Sequence, residues 1–227
     1  MAPEESCNEE DVRVIMARAG ERRLLAERQA RDGSRRVELL DGRHVLKRFR
    51  YDAGARPPRR PWRREHAALT HLADSRLPRS VGYLTETQQT GWTVSYLRTW
   101  IPGEPLAGFD AASAAEAGEL LADLHARGVV TDDALTQNFL RAADGQLLFL
   151  DFGKSRILPR RSPFLPAWIA LEHCRFLRAA LAGNADLWEV FRAAYFTASG
   201  GRRSHEATVR GLSRLVLRAR HLQGRSR

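Results

Sequence analysis

A chain of 227 residues has room for one compact domain or two small lobes, not for two large domains. Hydrophobic residues make up 43% and charged ones 28%, which excludes a collagenous, coiled-coil or wholly disordered chain. Lys plus Arg number 37 against 27 Asp plus Glu, a formal charge of +10 that suits phosphates, nucleic acid or an anionic membrane face without naming one. Cys7 and Cys174 are isolated, so a reducing, cytoplasmic setting is expected rather than a disulfide framework. Glu4, Glu5, Glu9, Glu10 and Asp11 crowd the start without a basic or apolar block, which argues against a signal peptide. No apolar run approaches the ~18 residues of a spanning helix, so any membrane contact is expected to be peripheral.

Residues 1–20 read as a partly disordered leader. From 22 to 50 the pattern alternates and turns like three antiparallel strands, with turns at Gly33-Ser34 and Asp41-Gly42. Residues 43–64 hold nine basic side chains against the single acid Asp52, and 53–64 read as a loop. Helical spacing follows over 62–74 (Ala67, Leu69, Leu72), with Pro61 at its start. Two more strands are expected at 80–85 and 92–100. After Ile101-Pro102-Gly103 a helix over 111–127 puts Ala114, Ala117, Leu120, Leu121 and Leu124 on one face, and Gly128 stops it. A loop leads to Asn138, then to a hairpin around Asp144-Gly145 ending in the apolar strand 147–150; residues 166–220 read as mostly helical.

Only two of the 37 basic residues are lysines, Lys47 and Lys154, so a lysine retained in this Arg-rich chain is informative. Lys47 lies on an apolar strand, Asp133 and Asn138 lie in the loop after a helix, and Asp151 closes Leu147-Leu148-Phe149-Leu150. Together they offer an ammonium, a carboxylate able to orient a hydroxyl, and an Asn plus Asp pair of oxygen ligands suited to Mg²⁺.

Order and spacing resemble the protein-kinase-like superfamily over residues 24–158. Asp133 and Asn138 are five positions apart, as in the catalytic loop H-R-D-x-x-x-x-N; Asp151-Phe152-Gly153 follows thirteen residues later; Val45-Leu46-Lys47 resembles V-A-I-K, and Glu65 lies 18 residues on. The resemblance implies an α+β, bilobal fold: an N-lobe over 21–103 with an antiparallel sheet and one helix, and a reduced, mainly helical C-lobe over 104–227. It implies ATP and Mg²⁺ as cofactors. Lys47, held by Glu65, would bind the α and β phosphates; Asp133 would accept the acceptor's hydroxyl proton; Asn138 and Asp151 would ligate the metal. Val45 would roof the adenine, and Thr99, Trp100 and Ile101 would meet its edge.

The chain departs from the family pattern in lacking a G-x-G-x-x-G loop, in having Thr131 and Asp132 before Asp133, and in lacking anything like A-P-E. Its size and short helical end resemble bacterial lipopolysaccharide core (heptose or Kdo) kinases, which act on a lipid-linked sugar at the inner membrane face. RIO-like atypical serine/threonine protein kinases and a catalytically impaired kinase-like binding protein are the alternatives. A nucleic-acid partner rests on charge alone and is disfavoured, and no obligate protein partner is expected. Bland readings remain beside these: Asp133 and Asn138 as turn caps, Glu65 as part of a solvated charge cluster with Arg63 and Arg64, and Lys154 as a surface lysine. The histidines show no metal spacing, His125 reads as packed beneath the loop, and Leu212, Leu215, Val216 and Leu222 beside Arg210, Arg214, Arg218 and Arg220 form an amphipathic basic pattern suited to anionic lipid or to closing the lobe.

Overall fold

The computed structural model of the chain describes residues 8–30, 33–55, 60–200 and 207–213. Two compact units divide it, Met1–Pro102 and Gly103–Arg227. The architecture is α+β, with an antiparallel sheet in the first unit and mainly helices in the second.

The first unit is built on strands β1 (Arg22–Ala30), β2 (Gly33–Leu40), β3 (His44–Asp52), β4 (Ser80–Gln88) and β5 (Gly91–Thr99), in the order β1-β2-β3-β5-β4, every pair antiparallel. Because successive side chains of a strand point to opposite faces, β3 divides its residues cleanly. Leu46, with Leu40, Leu84 and Leu97, packs on one face, and Phe49, with Val94 and Tyr96, on the other. Helix α2 (Pro61–Leu72) covers the second face through Trp62; Pro61 sits where a missing N–H costs nothing, and Ala73 ends the helix in the left-handed region at φ 44°.

The stretch read as a leader needs correction. Residues Glu9–Arg18 form a helix, α1, capped by the Asn8 side chain, with acids in its first turn, where the helix dipole favours them. Its Val12 is fully buried against Leu40, Leu46, Leu84 and Leu97, and Ile15, Met16 and Ala19 pack around it. Close approach is possible because β4 carries Gly82, where an added Cβ would lie 3.1 Å from Asn8 N and 3.4 Å from Val12 Cγ2. The turn between β4 and β5 is also tighter than expected, since the strands run to Gln88 and resume at Gly91.

The second unit hangs on helices α3 (Ala111–Ala126), α4 (Leu165–Arg175) and α5 (Ala185–Ala198), with a π-helical stretch Phe176–Ala180 after α4 and helical residues at 207–213. Asp110 and Ser113 form a reciprocal capping box at the start of α3. Short strands β6 (Gly103–Pro105), β8 (Phe139–Ala142) and β9 (Leu147–Phe149) make one sheet, and β7 (Val129–Val130) pairs with β10 (Arg156–Ile157) in another. The hairpin at Asp144-Gly145 is present as β8–β9; β6 and the β7–β10 pair were not expected. The basic pattern at the C-terminal end reaches Leu212, and its remaining residues lie outside the described ones, as do positions 56–59 of the basic loop. Among the described residues no helix is long and apolar enough to cross a membrane.

Helices α3 and α5 meet at Gly118, where a Cβ would stand 2.5 Å from the Phe191 carbonyl oxygen and 3.0 Å from Tyr195 N. Backbone cannot yield as a side chain can, so Gly118→Ala forces the helices apart. The variant is expected to lose about 1–3 kcal/mol of stability by overpacking, read from the urea midpoint at unchanged m-value.

Candidate active site

In the first unit Lys47 stands in the middle of β3 and Glu65 in the second turn of α2, both almost wholly buried. The ammonium donates to both carboxylate oxygens, at 2.8 Å and 2.6 Å. Arg98, on β5 directly across from Val45, brings its Nε to 3.1 Å from Glu65 Oε1. Two cations therefore share one buried carboxylate, and Glu65 is not a solvated helix charge. Arg98 was missed in the sequence, although an arginine between Leu97 and Thr99 on an apolar strand is the same kind of signal that singled out Lys47.

Val45 is buried on the Lys47 face of the sheet. The expected edge residues are placed at the end of β5, and two of them have their N–H groups engaged: Thr99 N donates to Arg79 O at 2.9 Å and Trp100 N to Arg43 O at 2.7 Å. The Thr99 hydroxyl accepts from Arg79 N. The Thr99 carbonyl in turn accepts a long contact from Arg98 Nη1 at 3.5 Å, and the two N–H groups are not free donors for a ligand's edge; Ile101 follows them.

In the second unit the loop after β7 contains the two adjacent aspartates, and the structure separates their tasks. Asp132 is buried and sits in the left-handed region at φ 56°. Its carboxylate pairs with Arg175, which also donates to the Asp132 carbonyl at 3.0 Å, and lies 4.0 Å from Arg156, itself stacked 3.7 Å above the Trp168 ring. Asp133 is only partly buried, and its carboxylate accepts from Lys154 Nζ at 2.7 Å. Asn138, in the short 3₁₀ turn Thr136–Asn138, donates from Nδ2 to the Asp133 carbonyl at 2.8 Å. Lys154, half-exposed, is thus part of the Asp133 arrangement. Asp151 follows β9, its Oδ1 accepting from Gly153 N at 3.2 Å, while Phe152 packs edge-on against Phe149.

Beneath this loop lies a polar network that the sequence did not disclose beyond His125. Glu172 of α4 is fully buried; one of its oxygens accepts from the Thr131 hydroxyl and from Asp132 N at 2.7 Å, and the other meets His125 Nε2 at 2.5 Å. His125 Nδ1 in turn lies 2.9 Å from the Tyr195 hydroxyl. With Nε2–H facing Glu172, Nδ1 is placed to accept from the Tyr195 hydroxyl, so the three side chains form one hydrogen-bonded chain. Burial first, and then the Glu172 charge, push the Tyr195 hydroxyl far above its ordinary value. The available hint was a glutamate placed among Ile169, Leu171 and Cys174 on an apolar helix.

Asn138 and Asp151 supply oxygen atoms, the donors a hard divalent cation takes, and the bond from Asn138 Nδ2 to Asp133 orients the amide so that its oxygen is left as acceptor. Both residues carry oxygen donors of the type Mg²⁺ takes. Among the described residues no group of three or more His, Cys, Asp or Glu is placed to hold a metal.

Residues 28–129, from β1 to the start of β7, match the phosphotransferase enzyme family (APH). No curated protein matches the sequence. Among solved structures, a co-crystal structure of WbdD with a kinase inhibitor is similar at 16% identity and a TM-score of 0.44, over 78% of this chain and 45% of that one, so the chain spans less than half the length of that relative.

Two outcomes follow from the buried carboxylates. Glu65→Ala leaves Lys47 and Arg98 facing each other in a dry interior and is expected to cost about 3–5 kcal/mol, measured by chemical denaturation. Tyr195→Phe removes the bond to His125 and is expected to cost about 1 kcal/mol at neutral pH. Because the folded value of Tyr195 is raised, its contribution is fully present below the ordinary tyrosine value of 10.0 and is lost as pH climbs through the folded value. The gap between wild type and Tyr195→Phe should therefore narrow in denaturation curves taken above pH 10.

Proposed function

We propose that the protein transfers the γ-phosphate of ATP to a hydroxyl group, most simply that of a sugar in a lipid-linked, lipopolysaccharide-core-like acceptor. The observation that carries this reading is the Asn138–Asp133–Lys154 arrangement. It joins, on one short loop, a carboxylate able to accept a hydroxyl proton and an oxygen ligand for a metal, with the Lys154 ammonium brought beside the carboxylate from beyond β9. The Lys47–Glu65 pair and Asp151-Phe152-Gly153 supply the rest of what phosphoryl transfer asks of a protein, which is positioning and charge stabilisation more than covalent chemistry.

Each residue has a task its surroundings support. Glu65 holds Lys47 through two hydrogen bonds, so the ammonium is presented to the α and β phosphates without the rotamer freedom of a loose lysine. Asp133 takes the hydroxyl's proton, its backbone fixed from one side by Asn138 and its carboxylate from the other by Lys154. Mg²⁺, when bound through Asn138 and Asp151, supplies positive charge to the transferring phosphoryl oxygens. Val45 lines the adenine side, and Trp100 and Ile101 border it.

A small acceptor is favoured over a peptide because only residues 158–164 lie between β10 and α4. That span is too short to build an extended docking platform. The sequence departures, above all the missing glycine loop, bear on how the phosphates are covered and not on the groups named here.

Asp133→Ala is expected to bind Mg-ATP as the wild type does and to lose about 10²–10⁴-fold in turnover. Asp151→Ala should instead lose the Mg²⁺-dependent part of nucleotide binding. Calorimetric titration with ATP, run beside label transfer from γ-labelled ATP to a glycolipid extract and to a generic protein, checks both the roles and the acceptor. Normal turnover in Asp133→Ala would sink the assignment of the loop, and label in protein alone would replace the sugar by a serine or threonine.

A further inference from the structure

The second unit holds a cavity of about 590 Å³ that none of the roles above uses. Its floor is apolar, with Leu165, Pro166 and Ile169 from the start of α4 and Ala122 and Ala126 one turn apart on α3. Tyr195 and His125 form its inner polar wall, and their ring nitrogen and hydroxyl are already bonded to each other. Arg160 and Arg161 stand at its edge, both exposed, and neither is in an ion pair within the described residues. Phe164 beside them is two-thirds exposed (67%), an unusual position for an aromatic side chain in water.

The size falls within the range of small-molecule sites, and the lining has their usual make-up: mostly apolar surface with a few polar groups at one end. Two guanidinium groups at the mouth of an apolar hollow select a ligand that is itself two-ended. We propose that this cavity binds an amphiphilic anion, an apolar body carrying one terminal carboxylate or phosphate, with the acidic end on Arg160 and Arg161 and the body over Ile169, Leu165 and Ala126. An inorganic anion leaves the floor wet, and a neutral apolar molecule leaves the arginines without a partner.

The site does not depend on the phosphotransfer reading, because its readout is binding. Laurate, kept below its micelle concentration, is titrated into the full-length protein by calorimetry, with dodecanol and inorganic phosphate as separate titrants. One saturable laurate site is expected, with dodecanol and phosphate each at least tenfold weaker. The double variant Arg160→Ala, Arg161→Ala should weaken laurate tenfold or more while leaving dodecanol unchanged, and Ala126→Trp, at an exposed helix position, should abolish laurate binding by filling the hollow. Melting curves of both variants confirm that they are folded. Absence of saturable laurate binding, laurate affinity unchanged in the double variant, or equal affinity for dodecanol or for phosphate would each overturn the proposal.

Discussion

A carboxylate removed from water must be met by donors on every side, and each unit of this protein is organised around one such group. In the first, Glu65 on α2 is reached by Lys47 from β3 and Arg98 from β5. The helix can therefore sit on the sheet in one orientation only. In the second, Glu172 on α4 is reached by Thr131 and Asp132 from the loop and by His125 from α3. Apolar contacts such as the Phe139, Phe149 and Phe176 cluster supply most of the burial, but they are tolerant of small rotations; the charged groups are not. Precision in the placement of Lys47 and of the Asp132-Asp133 backbone comes from these two acids.

The same logic explains why two neighbouring aspartates behave so differently. The left-handed turn at Asp132 directs one carboxylate inward to Arg175 and leaves the next, Asp133, directed toward Lys154. Asp132 anchors the loop, and Asp133 is left only partly buried, its carboxylate paired with Lys154. Neither role is visible from composition, and only the spacing to Asn138 distinguishes them in the sequence.

Much of this was legible beforehand because it is local or periodic. Two-residue alternation marked out the strands of the first unit, Lys47 on one of them; the 18-residue interval to Glu65 and the five-residue interval to Asn138 join pairs that do touch. Helix α1 was missed because the acids at 9–11 read as a solvated leader, although Val12, Ile15, Met16 and Ala19 repeat at helical spacing. Glu172 lies some forty residues from the groups it binds, and no local pattern announces a partner at that distance. The engagement of Trp100 N by Arg43 O is a matter of strand register, settled only when β3 and β5 are paired. Strands β7 and β10 are two residues each, too short for alternation to register.

The scarcity of lysine has an experimental consequence. Apart from its α-amino group, the chain offers an amine-directed acylating reagent two targets, and both belong to the arrangements described above. Lys154 is half in solvent and Lys47 is enclosed by Glu65 and Arg98. Their labelling rates, read by mass spectrometry on the intact protein, would report separately on the state of each unit without any engineered probe.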